Sequence, residues 1–324
     1  MKTMNTIPYR PEWSPDILGH GFDMRHIVQP RDYSGHVRCT VIRRRATAGK
    51  GRGVLYVHGF SDYFFQKEMA EEFTRRNYDF YAVDLRKYGR STTDEQKMFQ
   101  VRDLSEYFPD ISAGIEAMRS DGVDKIILLG HSTGGLTASL FLQRTKCPAV
   151  TALILNSPFL AWNLPWTSRT LGIPVIKALA RLMPSLKVSS SDGGNDYAAS
   201  LSKHLGGEWN YDTSWKPDVL PDVDTGWIRA IDNAQKELRK GGIGVPVLLM
   251  HSARSARSGD SKERFSCSDG VLDVRSIAEA GRRLGPLVTD VTVDGGLHDL
   301  VLSRKDVRQS VYNTIFNWLS GLNL

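Results

Sequence analysis

The stretch Lys125-Ile126-Ile127-Leu128-Leu129-Gly130-His131-Ser132-Thr133-Gly134-Gly135-Leu136 opens as an apolar run of strand length, turns through a serine set among glycines, and enters a helical pattern that runs on to Arg144. Residues 130–134 have the form G-x-S-x-G at the one place where that pattern has mechanical meaning, between a strand and a helix. So sharp a turn forces strained dihedrals on the central residue, and a side chain two positions to either side would strike neighbouring backbone. The strain presents the Ser132 hydroxyl at the carboxyl edge of a sheet. The following helix N-terminus aims backbone N–H groups at any negative charge that develops there.

Outward from this turn, short apolar runs alternate with helical patterns, the rhythm of strands and crossover helices in a mostly parallel α/β sheet. Val54–Val57 leads into His58-Gly59, Phe80–Val83 into Asp84, Ala152–Leu155 into Asn156, Val245–Met250 into His251, and Val288–Val293 into Asp294. Ahead of them, Arg25–Gln29 and His36–Ile42 read as an antiparallel hairpin. Leu104, Tyr107, Ile111, Ile115 and Met118, and later Val307, Val311, Ile315 and Trp318, recur at helical spacing and predict core packing. The rhythm breaks after Asn156. The next stretch holds five of the seven tryptophans, three X-Pro turns and the polar segment Ser189–Asn195, with helices predicted only near Ile173–Met183 and Trp227–Arg239. The organisation expected is a core in two parts, residues 1–156 and 244–324, with a mainly helical lid inserted at residues 157–243.

The composition fits one large domain with such an insertion: 324 residues, 41% hydrophobic and 24% charged. No run approaches the roughly 20 apolar residues of a membrane-spanning helix, and Met1–Trp13 lacks the apolar core of a secretion signal. A cytoplasmic location is therefore expected. The three cysteines, Cys39, Cys147 and Cys267, are too few and too scattered for a disulfide framework or a zinc site. The net charge of +6 gathers in short basic pieces without interleaved aromatics, so nucleic acid is not an expected partner, although peripheral lipid contact is compatible with it.

Two further elements complete a chemistry around Ser132. Gly59 lets the chain turn so that the Phe60 N–H faces the same point as the Thr133 N–H, a pair of oxyanion donors, while His58 reads as a structural histidine holding that loop. The loop from Asp84 to Ser91 reads as architectural. The base expected is His298, in Gly295-Gly296-Leu297-His298-Asp299 after the last strand. His20, His26, His36 and His204 lie in the N-terminal region or the lid, His131 sits inside the turn, and His251 ends a strand. The acid that orients His298 must follow Met250, where Asp260, Asp269 and Asp273 compete. Asp269 is favoured because Val271-Leu272 resume packing directly after it and Asp273 is placed to cap the next helix. Asp260, in a surface excursion, comes second.

At these residues the sequence resembles the α/β-hydrolase superfamily, and within it the monoacylglycerol lipase and lysophospholipase group, the serine aminopeptidase-like hydrolases. The motifs carrying the resemblance are His58-Gly59-Phe60, Asp84-x-Arg86-x-x-Gly89-x-Ser91, Gly130–Gly135 and Gly296-x-His298. The resemblance implies Ser132 as nucleophile, His298 as base, and Phe60 and Thr133 as backbone donors. It also implies the acid at Asp269, since Asp269-Gly270-Val271-Leu272-Asp273 fits the family's pattern about thirty residues before the histidine. The expected activity is hydrolysis of monoacylglycerol- or lysophospholipid-like acyl esters, with no metal or organic cofactor. Trp209 and Trp215 are the lid residues first expected to touch substrate. Acyl transfer or amide cleavage by the same triad, and a binding role with little turnover, are the alternatives. Epoxide hydrolase and dehalogenase chemistry is disfavoured, because it places Asp where Ser132 stands.

Overall fold

The computed structural model describes residues 12–188 and 195–324. Most of the segment Ser189–Asn195, noted above for its polarity, lies outside the described residues. The strands in chain order are β1 (Ser14–Pro15), β2 (Asp23–Asp32), β3 (Gly35–Arg44), β4 (Arg52–Val57), β5 (Asp79–Asp84), β6 (Lys125–His131), β7 (Val150–Asn156), β8 (Lys187–Val188), β9 (Val223–Asp224), β10 (Val247–Ser252) and β11 (Val288–Val293). The α-helices are α1 (Lys67–Arg75), α2 (Phe108–Ser120), α3 (Thr133–Thr145), α4 (Ile173–Leu179), α5 (Asn195–Leu201), α6 (Thr225–Leu238), α7 (Lys262–Phe265), α8 (Val274–Gly281) and α9 (Lys305–Gly321).

Nine strands form one sheet in the order β1-β2-β3-β5-β4-β6-β7-β10-β11. From β5 to β11 every neighbouring pair is parallel, and β1, β2 and β3 add an antiparallel edge. Successive strand residues point to opposite faces, and because helices cover both faces here, both sets are apolar. Leu55 and Val57 of β4 and Ile126 and Leu128 of β6 join the core under α2, α3, α6 and α8. Val54, Tyr56, Ile127 and Leu129, the alternate residues, join the core under α1 and α9. This double burial is why the strands read as unbroken apolar runs.

Between β7 and β10 the chain leaves the sheet. The two helices expected there are α4 and α6, the latter capped by Asp224, whose carboxylate accepts from the Trp227 N–H at 2.9 Å. Two features were not expected: the short helix α5, and the antiparallel pairing of β8 with β9, a ladder of two residues each and too short to leave a periodic trace.

Candidate active site

The turn after β6 is as tight as its glycines imply. Ser132 has φ 52° and ψ −119°, a conformation that costs an L-residue about 1–3 kcal/mol. It is held from several sides: the Ser132 N–H donates to Asn156 O at 3.1 Å, and the Ser132 carbonyl accepts from Leu136 N–H at 3.1 Å and Phe159 N–H at 2.9 Å. A Cβ on Gly134 would lie 2.2 Å from His58 O and 2.3 Å from Val57 O, and one on Gly130 would lie 2.6 Å from Gly135 Cα. With backbone on the far side, neither contact can relax, so the start of α3 seats against the end of β4 only with glycine at 134 and against the end of β6 only with glycine at 130.

The loop after β11 brings His298 over this serine. His298 Nε2 lies 3.0 Å from Ser132 Oγ, and Nδ1 lies 2.9 Å from Asp269 Oδ2. The other oxygen of Asp269 accepts from the Val271 and Leu272 N–H groups, each at 2.8 Å. The Asp269 backbone is pinned to Arg254 O and Ala256 N–H at 2.8 and 2.7 Å. Asp269 is fully buried, His298 is 3% exposed and Ser132 8% exposed. The carboxylate therefore has one oxygen for the imidazole and one for its own loop. The competing acids are elsewhere: Asp273 caps α8, accepting from Ser276 N–H at 3.2 Å, and exposed Asp260 accepts from Arg257 N–H at 2.8 Å.

The Phe60 and Thr133 amides donate to no acceptor among the described residues, and both residues line the cavity onto which Ser132 opens. A Cβ on Gly59 would meet Ser132 Cβ at 3.1 Å, so this loop lies directly against the serine. His58 is fixed in one tautomer: Nε2 accepts from Leu85 N–H at 3.0 Å, which leaves Nδ1 to donate to Gly59 O at 2.8 Å. The Asp84 loop is architectural as read. Asp84 accepts from the N–H groups of Phe64 and Arg90, and Arg86 forks onto Asp110 with contacts of 2.8–3.2 Å.

The cavity has a volume of about 930 Å³ and is mostly apolar, walled by Phe159, Trp162, Ile173, Ile176 and Trp227 among others. Trp209 and Trp215 do not line it. Trp209 Nε1 donates to Leu302 O at 2.8 Å with the Arg308 guanidinium over its ring, and Trp215 packs edge-on against Tyr63 at 5.2 Å. Both are anchors that dock the excursion onto the core. The tryptophans that face the cavity are Trp162 and Trp227; Trp227 also packs against Phe60 at 4.9 Å, which ties α6 to the loop of the free amide.

Three polar residues at the site were not singled out from sequence. Tyr197, from α5, sets its ring 5.7 Å from that of His298, and its hydroxyl accepts from Asp299 N–H at 3.3 Å. Asp62, two residues after Phe60, pairs with Lys216 of the excursion at 3.0 Å, both facing the cavity. Burial alone would raise the Asp62 pKa; Lys216, with His131 and His58 beyond it, outweighs burial and holds it below the ordinary carboxylate value. Burial lowers the pKa of His131, so it sits neutral beside His298, ring centroids 4.9 Å apart. No local pattern marks Tyr197 or Lys216, because each reaches the site from a part of the chain without periodic signal. Among the described residues no group of three or more His, Cys, Asp or Glu side chains is placed to hold a metal ion, and no helix is long and apolar enough to cross a membrane.

A parallel sheet with a strained serine between strand and helix, and a histidine and an aspartate on loops after later strands, defines an α/β hydrolase of the lipase and esterase type. Within that class the chain belongs to the family described as serine aminopeptidase, S33, which it matches over residues 50–262. It is 31% identical over 138 residues to the phospholipase YtpA of Bacillus subtilis (strain 168), a match spanning 42% of this chain and about half, 51%, of that relative. It is 31% identical over 216 residues to the AB hydrolase superfamily protein YisY of the same organism, covering 64% of this chain and 75% of that one. Its fold is similar to that of a soluble variant of the monoglyceride lipase of Saccharomyces cerevisiae, with a TM-score of 0.65 at 17% identity over 90% of this chain and 94% of that one.

Proposed function

We propose that Ser132, His298 and Asp269 act as a triad that hydrolyses carboxylic esters of medium to long acyl chains, with residues 157–243 as the lid over the acyl group. Support comes above all from the unbroken hydrogen-bonded line Asp269–His298–Ser132, which ends at a serine opening onto a large apolar cavity. His298 Nε2 takes the Ser132 proton as Oγ attacks the ester carbonyl, and Asp269 holds the Nδ1–H tautomer and stabilises the imidazolium. The Phe60 and Thr133 amides receive the oxyanion. The alcohol leaves with the proton from His298, and a water deprotonated by the same nitrogen cleaves the acyl-enzyme.

Monoacylglycerols and lysophospholipids are the substrate classes that best fit, since each pairs one acyl chain with a polar alcohol. The apolar wall suits the first, and Asp62 with Lys216 provides polar groups within the same cavity for the second. The test is initial rates on esters of graded acyl length, a monoacylglycerol and a lysophospholipid included. The reading requires kcat/KM to rise with chain length beyond that of a short ester; a flat or falling series refutes the acyl-cavity assignment.

A further inference from the structure

Residues 60–63, which carry the Phe60 donor, make no backbone hydrogen bond among the described residues. The turn they form is strained: Ser61 has φ 50°, in the left-handed region, yet it is buried and its hydroxyl finds no partner among the described residues. A backbone in that state keeps its shape only where its surroundings over-determine it. On one side stands the Phe60 ring, packed against Phe99 at 5.5 Å and Trp227 at 4.9 Å. On the other are Asp62 and Tyr63, and both are held by one short segment of the excursion.

That segment is residues 209–216. Lys216 Nζ meets Asp62 Oδ1 at 3.0 Å, the Asp212 N–H donates to the Tyr63 hydroxyl at 2.7 Å, and the Trp215 ring stands edge-on to that of Tyr63 at 5.2 Å. The segment is itself stiff: Asp212 O accepts from the Trp215 and Lys216 N–H groups at 3.1 and 2.9 Å, and the Asp212 carboxylate from Ser214 N–H at 2.8 Å. Its other end is fixed to the loop after His298, through Trp209 Nε1 on Leu302 O. One brace therefore runs from the histidine loop to the oxyanion loop. Within it the Asp62–Lys216 pair is the contact nearest Phe60 in the chain, and its side chains are only 3% and 13% exposed, so solvent ions screen it little.

We infer that Lys216 is a positioning residue for the oxyanion hole: through Asp62 it holds the Ser61 turn, and with it the Phe60 N–H, where the tetrahedral oxyanion forms. The inference rests on the Ser132 triad proposed above. A donor displaced by about 1 Å forfeits much of its effect on the transition state and little ground-state binding, so the lysine acts on kcat without touching a reacting atom. The test uses a short, soluble ester of an uncharged alcohol, which offers Lys216 no charged group. Lys216→Met and Asp62→Asn should each lower kcat roughly 30- to 100-fold and change KM less than about threefold. The double variant should lose no more than the worse single one, because both act through one contact. It also removes the unpaired buried carboxylate, so its thermal midpoint should return towards wild type while kcat stays low. Affinity for a short trifluoromethyl ketone should fall in step with kcat/KM: Ser132 Oγ adds reversibly to its carbonyl, the proton passes to His298, and the oxyanion so formed needs the same amides. Lys177→Met, which breaks the pair with Asp232 between α4 and α6, should leave kcat near wild type. A double variant with kcat within about threefold of wild type, a loss confined to KM, single losses that multiply in the double variant, or an equal loss from Lys177→Met overturns the inference and leaves the triad standing. A wild type that neither hydrolyses the ester nor binds the ketone overturns both.

Discussion

Replacing Asp269 by asparagine isolates the acid's contribution, because the substitution changes almost nothing in shape while the surroundings dictate how the amide must sit. Two backbone donors, Val271 N–H and Leu272 N–H at 2.8 Å, require an acceptor at the Oδ1 position. The asparagine oxygen must occupy it, since the reverse orientation would aim an NH2 group at two N–H groups in a fully buried pocket. The NH2 then faces His298 Nδ1, now 2.9 Å from a donor in place of a carboxylate, and the imidazole can respond only by putting its proton on Nε2. That nitrogen, 3.0 Å from Ser132 Oγ, can no longer accept the hydroxyl proton. The expected loss is roughly 10⁴-fold in kcat, about 5.5 kcal/mol of transition-state stabilisation, with the thermal midpoint little changed because every hydrogen bond keeps a partner. Turnover on a soluble ester at neutral pH, normalised to folded protein by calorimetry, provides the measurement. Asp273→Ala is the control: it should lower stability by about 1 kcal/mol through loss of the α8 cap while turnover per folded molecule stays near wild type. An Asp269→Asn variant within tenfold of wild type, or an equal loss from Asp260→Asn, refutes the reasoning.

Ser132→Ala should abolish labelling by a fluorophosphonate probe and lower turnover by about 10⁴-fold or more, and a labelled alanine variant rules out Ser132 as nucleophile. Trp162→Ala should reduce kcat/KM for a long-chain ester about tenfold and leave a short ester nearly unaffected; uniform loss across chain lengths makes this wall structural. Because the folded pKa of Asp62 is lowered, its pair with Lys216 stabilises the fold fully above the unfolded carboxylate value near 3.8, and that share is lost as pH falls through the folded value. Lys216→Met leaves burial to dominate and raises the Asp62 pKa, so it should cost about 3 kcal/mol at neutral pH, a deficit that shrinks as pH falls and the carboxyl takes up its proton; a deficit that stays constant on acidification contradicts the assignment.

The sheet and the turn at Ser132 were legible because both depend on local constraints. Strands buried on two faces have to be continuously apolar, and a strand that meets a helix within one residue needs glycine where backbone would otherwise collide. The placement of Asp269 beside His298 was legible for a related reason: the apolar pair Val271-Leu272 fixes the loop, and the same two residues supply the amides that hold its carboxylate. The excursion was not legible in the same way. Its tryptophans have the same composition whether they line a cavity or anchor a loop, and only the packing separates Trp162 and Trp227 at the cavity from Trp209 against Leu302 and Trp215 against Tyr63. Tyr197 and Lys216 approach the site across tertiary distances and carry no sequence signature.

Asp299 explains why sequence proximity is a poor guide to the partner of a histidine. It adjoins His298 and is 1% exposed, and a buried carboxylate so near an imidazole looks like the natural orienting acid. Both its oxygens are already committed: Oδ1 accepts from Asn156 Nδ2 at 2.7 Å and Oδ2 from Gln66 Nε2 at 3.1 Å. Asn156 in turn accepts from Leu300 N–H at 3.1 Å through its side chain, while its backbone oxygen takes the Ser132 N–H, also at 3.1 Å. One residue at the end of β7 thus ties the turn that carries the serine to the loop that carries the histidine. Asp299 is the anchor of that tie, its charge spread over two amides and directed away from Nδ1. The two carboxylates therefore divide the work by geometry. Asp299 fixes where the histidine loop sits relative to the serine turn, and Asp269, arriving from the loop after β10 with one free oxygen, is left as the group that can fix which nitrogen carries the proton.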